Sequence, residues 1–172
     1  MILLEVTMVD IGAALLFVFL IVIAWMLAEF KGMKDEIRER LDIKNESLKL
    51  RLQAYERLTV FADRASIKNL VARTSYVGLS VVDLQLSLLE TIRTEYEYNV
   101  SQQIYVSHDM WKAIGNLKDQ NIYIINQIAA MLPSHAAGIE LSKQLLEYAS
   151  IKNADLSLVV LEALQFEAKK IL

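Results

Sequence analysis

Between Asp10 and Glu29 the chain reads IGAALLFVFLIVIAWMLA, an uncharged run from Ile11 to Ala28. A helix of about 20 residues, rising about 1.5 Å per residue, spans a hydrocarbon core. Only the helical form satisfies every backbone donor and acceptor without water. Met8, Val9 and Phe30 extend the run at its two ends. A helix apolar all round must be covered on every side by protein or by lipid. The rest of this chain is too short to wrap it as a core helix. A cleaved secretory signal fits poorly, because no Lys or Arg precedes the run and AWMLAEF is a poor cleavage site. The run is therefore read as a transmembrane helix over residues 11–30. Trp25 is expected at the headgroup boundary, and Lys31 and Lys34 reach toward the phosphates as anchors.

Basic residues near the span set its orientation. None precedes it, whereas Lys31, Lys34, Arg38, Arg40 and Lys44 follow it. The expected topology is a short outer tail (residues 1–10), one crossing, and the bulk of the chain in the cytoplasm.

About 140 of the 172 residues lie beyond the span, enough for one modest domain. The absence of cysteine excludes disulfides, thiolate metal sites and cysteine nucleophiles. One proline and five glycines leave few helix breakers, so the expected class is all-α. From Glu29 to Arg73 eleven Lys or Arg face eight Asp or Glu; from Thr74 onward seven face eleven. The basic part adjoins the membrane, where anionic lipid attracts it. Its basic residues alternate with acids, which reads as a solvated helix surface, and nucleic acid is not an expected partner.

Residues 31–65 read as a juxtamembrane amphipathic helix, with a possible break at Gly32. Ile37, Leu41, Leu48, Leu52, Tyr55 and Ala62 share one face. A heptad with Leu41, Leu48, Tyr55 and Ala62 at d places Arg38, Asn45, Leu52 and Thr59 at a. Three polar residues of four at a argue against a strong coiled coil. Two readings stay open, a weakly oligomerising stalk or a helix docked on the distal bundle.

Residues 66–172 read as a bundle of four to five helices. Ser66 marks a break before a short helix from Ile67 to Tyr76. Gly78 and Ser80 mark a turn, and Ser80 with Asp83 forms a capping box opening a helix that carries Leu84, Leu88, Ile92 and Tyr96. NVSQQIYVS is a polar and β-branched connection. Ser107 caps the next helix, which has Trp111, Ile114, Leu117, Ile124, Ile128 and Leu132 on one side and stops at Pro133. Gly138 to Ala149 forms a shorter helix with Leu141, Leu145 and Tyr148 inward. Ala154 to Leu172 forms the last, apolar over more than half its circumference, so it sits centrally or offers a spare face to a partner.

Candidate chemistry is sparse. His108 and Asp109 form an HD pair, but further His and Asp ligands are needed for a divalent site, and His135 is the only other histidine. An N-cap with an acidic first turn accounts for the same residues. Glu90, Glu95 and Glu97 lack the E-x-x-H partners of a di-iron bundle and read as a solvated face. Phosphate-binding, dinucleotide-binding, nucleophile-elbow and zincin motifs are absent. No catalytic, cofactor-binding or metal residue is assigned. Asn121 falls on the apolar stripe of its helix, where a buried amide needs partners. Residues 101–103 are candidates, or the amide sets helix register. Leu41, Leu48, Leu52, Tyr55 and Asn121 are the candidate interaction or register residues.

The segments RLQAYERLTVFADRASIKNLVAR, TEYEYNVSQQIYVS and IINQIA, with the Leu132–Pro133 turn, resemble an uncharacterised bacterial family of small single-pass membrane proteins. The resemblance covers most of the chain after the span. It implies that architecture and a bacterial cytoplasmic membrane, and no mechanism. The expected role is a non-enzymatic scaffold or interaction protein that presents a helical domain on the cytoplasmic face to a protein partner or a second copy. The alternatives are an accessory subunit of a larger membrane complex, with the small Gly12–Ala13–Ala14 face packed on another helix, and a helical hydrolase using His108 and Asp109.

Overall fold

A computed structural model of the chain describes residues 8–151 and 155–172. Among the described residues the protein is all-helical, with six α-helices and one short 3-10 helix. They are α1 (Met8–Ala65), α2 (Ile67–Arg73), α3 (Val81–Tyr98), the 3-10 turn Val100–Ile104, α4 (His108–Ala130), α5 (Gly138–Ser150) and α6 (Leu156–Ile171). The expected start of the last helix at Ala154, and residues 1–7 of the expected outer tail (1–10), lie outside the described residues; residues 8–10 of that tail belong to α1. Helix α1 runs through Gly32 without a break. The residues around Gly32 are good helix formers, so one glycine, costing about 1 kcal/mol, does not interrupt them.

Two compact units divide the chain, Met1–Ser47 and Leu48–Leu172. The boundary falls inside α1, between Ser47 and Leu48, and not at 65/66 where the amphipathic pattern ends. In the first unit the apolar run lies bare, with Leu15, Phe17, Trp25 and Leu27 all more than 60% exposed.

The second unit has two apolar clusters, and α4 contributes to both. Its first half supplies Met110, Ile114 and Leu117, which pack with Tyr55, Leu58, Phe61, Ala62 and Ala65 of α1 and with Val160 and Leu164 of α6. Its second half supplies Ile124, Ile125, Ile128 and Ala129, which pack with side chains of α2, α3 and α5, among them Leu70, Leu84, Leu88, Leu141 and Leu145. The end of α1 therefore docks on the bundle and belongs to its core.

Local chemistry sets the helix boundaries. Ser66, Ser80 and Ser107 each accept a backbone N–H from the first turn of the helix that follows. The Ser80–Asp83 capping box is complete, with Asp83 N–H donating to Ser80 Oγ at 3.2 Å and Ser80 N–H to Asp83 Oδ2 at 3.3 Å. Gly78 takes φ 75°, a left-handed value that glycine adopts without strain. The α2 helix ends at Arg73, short of Tyr76, where the Thr74 hydroxyl donates to the Leu70 carbonyl at 2.8 Å. Residues 100–104, within the expected polar and β-branched connection, form the 3-10 turn. Asn99 anchors it by donating from Nδ2 to the Glu95 carbonyl at 2.8 Å. Between α4 and α5 the chain returns against the start of α3, where Val81 N–H donates to Ala136 O at 2.9 Å and Gly138 N–H to Leu79 O at 2.8 Å.

Candidate functional site

At the C-terminal end of α1, where the last carbonyls have no full helical turn ahead of them, three accept from side chains; Asp63 O also accepts Ser66 N–H at 3.2 Å. Asn69 Nδ2 donates to Asp63 O at 3.0 Å, the Arg73 guanidinium to Arg64 O at 3.2 Å, and Asn121 Nδ2 to Ala65 O at 2.7 Å. Asn121 is 2% exposed and sits on α4 between the halves that feed the two apolar clusters. Its partner is thus the α1 terminus and not residues 101–103. Gln102 bonds Ser101 instead, at 2.9 Å.

Beside this corner Glu95 of α3 joins two cations. Its Oε1 accepts from Arg64 Nη2 at 2.8 Å and lies 2.7 Å from Arg73 Nη1. The Glu95 side chain is only 19% exposed, so the solvated face expected there is wrong for this residue. The spacing of Glu90, Glu95 and Glu97 gives no sign of this, because both arginines come from helices far away in sequence. The hydrogen bond from Arg64 to Glu95, and then the charge of Glu95, hold the Arg64 guanidinium above its ordinary pKa. Next to the pair a cleft of about 600 Å³ opens between α1 and α3, lined by Gln53, Glu56, Arg57, Val60, Tyr98 and Asn99 among others. Arg57 spans it, 4.8 Å from the centroid of the Tyr98 ring and 3.3 Å from the Tyr98 carbonyl. The cleft wall carries two arginines and two glutamates, so it presents no net charge to a ligand.

A second tie joins three helices. Glu167 of α6 accepts the Tyr55 hydroxyl at 2.8 Å through Oε2 and the Ser107 hydroxyl at 2.7 Å through Oε1. Burial first, and the Glu167 hydrogen bond second, push the Tyr55 phenol above its ordinary value. A groove of about 550 Å³ runs beside it between α1 and α6, walled by Leu52, Tyr55, Thr59, Leu158, Leu161 and Leu164.

The other candidate residues are placed as follows. Trp25, Lys31 and Lys34 lie exposed on α1. Leu41 is 53% exposed, Leu48 and Leu52 are half-buried, and Tyr55 is buried. One continuous stripe thus begins bare and ends in the core. His108 and Asp109 are exposed in the first turn of α4, which Ser107 caps by accepting Met110 N–H at 3.0 Å. His135 is exposed in the turn after Pro133. Among the described residues no three His, Asp or Glu side chains cluster closely enough to hold a metal ion.

The sequence profile of a family of unknown function, DUF7935, matches residues 1–171, and the chain belongs to that family. The match takes in the apolar run together with the helical unit. No curated protein and no solved structure matches the chain.

Proposed function

We propose that this protein is a single-pass membrane-anchored interaction protein, without enzymatic activity, whose helical unit stands on the cytoplasmic face. The observation that carries the reading is the apolar stretch of α1, of which none is buried. Each large apolar side chain left in water forgoes roughly 1.5–3 kcal/mol. Ile11, Leu15, Leu16, Phe17, Val18, Phe19, Leu20, Ile21, Val22 and Ile23 are all exposed together. A lipid environment removes a penalty of tens of kcal/mol that the chain itself does not relieve. Trp25, Lys31 and Lys34 are the boundary anchors in this reading. The cluster of Lys31, Lys34, Arg38, Arg40 and Lys44 keeps the helical unit inside.

The interaction role rests on the second unit, whose buried polar groups tie helices together and whose exposed surface retains large apolar side chains on α6. The chain has no cysteine, so one introduced cysteine reports topology without interference. In intact cells an impermeant maleimide should label Glu5→Cys and spare Glu90→Cys, with both labelled after lysis. Labelling of Glu90→Cys in intact cells would reverse the orientation, and equal protection of both would remove it.

A further inference from the structure

The α6 helix buries Val160 and Leu164 against α1 and α4 and leaves a second face bare. Leu158, Val159 and Phe166 on that face are 62%, 60% and 61% exposed. Glu162, Gln165 and Lys169 share it, at the three- and four-residue steps that keep side chains on one side of a helix. Neither Glu162 nor Lys169 forms an ion pair among the described residues. Lys170 lies over the Phe166 ring, 4.2 Å from its centroid.

We propose that this face is an isologous dimer contact, with α6 packed antiparallel on α6 of a second copy about a two-fold axis that passes between Gln165 and Phe166. Charge complementarity selects the occupant. In an antiparallel pair a contact between residues i and j on one helix recurs as j and i on the other. With the axis between Gln165 and Phe166, Glu162 stands opposite the second copy's Lys169, and Lys169 opposite its Glu162. Both unpaired charges then find partners, twice. The same register sets each Phe166 beside the axis, across from the second copy's Gln165, where aromatic side chains contribute most to an interface, and sets Val159, with Leu158 next to it, against the exposed Leu172 at each end of the contact. A parallel pairing sets Glu162 against Glu162 and Lys169 against Lys169, and like charges oppose it. A helix pair of this length covers less than a standard interface of about 1,600 Å². The contact is therefore weak in dilute solution and favoured where copies are concentrated, as in a membrane. It specifies the partner in the interaction reading above, and it does not depend on whether α1 crosses a bilayer.

The test uses the full-length chain in detergent micelles with a short bismaleimide. Gln165→Cys, exposed beside the axis and leaving Phe166 in place, should give a covalent dimer, and Leu86→Cys, an exposed site on α3, should not. E162K and K169E should each weaken dimerisation about tenfold or more. The double variant E162K/K169E should restore it, because the swapped charges meet again. The substituted residues are all exposed, and circular dichroism checks that each variant folds. A Gln165→Cys yield no higher than that of Leu86→Cys overturns the proposal. So does a double variant no better than the singles. A dimer that forms without a Gln165→Cys cross-link assigns association to another surface, such as the apolar run, and overturns it as well. Membrane extraction and this cross-link fail separately, so losing one reading leaves the other standing.

Discussion

Asn121→Leu should destabilise the helical unit by about 1–3 kcal/mol, the cost of leaving a buried acceptor without its donor. The acceptor is the Ala65 carbonyl at the end of α1, 2.7 Å from Asn121 Nδ2, and the asparagine is 2% exposed. Leucine keeps asparagine's branched four-heavy-atom outline but is bulkier, so some overpacking adds to the loss of the hydrogen bond. At about 2–8 °C per kcal/mol for domains spanning this size, the melting temperature should fall by several degrees or more. Asn121→Asp separates donor loss from shape. At neutral pH a carboxylate there has no proton to give and faces a carbonyl oxygen, so it should cost more than leucine. As the pH falls through the pKa of the introduced acid, the carboxyl regains an O–H donor and the deficit should narrow. Thermal melts of the full chain in detergent, followed by far-ultraviolet circular dichroism, read all three proteins. An Asn121→Leu variant as stable as the parent would refute the reasoning, and would mean that water serves Ala65.

Three other substitutions probe the remaining ties. Gly138→Ala should destabilise by about 1–3 kcal/mol in the same melt, since a Cβ there would stand 3.1 Å from Leu79 O and 3.3 Å from Ser80 O, both backbone atoms. Tyr55→Phe should cost about 0.5–1.5 kcal/mol by removing the hydroxyl that Glu167 accepts. The folded phenol is raised, so its stabilisation is full below the ordinary tyrosine range and is lost as pH climbs through the folded value. Urea titrations at rising alkaline pH should therefore show a fall in stability that Tyr55→Phe lessens. Ser80→Ala should cost about 1 kcal/mol as a lost N-cap. In the parent, the Ser80 hydrogen bonds hold Asp83 below its ordinary pKa, so the benefit is present above the carboxylate range and fades as pH falls through the folded value. A carbon-detected NMR titration should find Asp83 returned toward the ordinary range in Ser80→Ala.

What a sequence reveals here follows the distance between partners. Ser80 and Asp83 lie three residues apart, and Ser107 lies three before the N–H it accepts, so these boundaries are written locally. The apolar run needs no partner to be recognised. Glu95 pairs with arginines from α1 and α2, and Asn121 bonds the end of α1 across the intervening α2, α3 and 3-10 turn. No short window holds both members of either contact. The stripe from Leu41 to Tyr55 shows the same limit from another side. It keeps to one helix face throughout, yet Leu41 is bare and Tyr55 buried, because coverage comes from α4 and α6 and not from the stripe. The spare face of α6 was legible as an excess of apolar residues. Which of them stay outside, Leu158, Val159 and Phe166, required the packed bundle.

Anchoring in lipid through residues 11–30 is the central claim, and alkaline carbonate extraction of the full-length chain tests it most directly. The protein should stay with the sedimented membranes at high pH and be released only by detergent. Recovery of the folded protein in the carbonate supernatant would contradict a bilayer crossing, because nothing else described in the chain covers Leu15, Phe17 and Leu27.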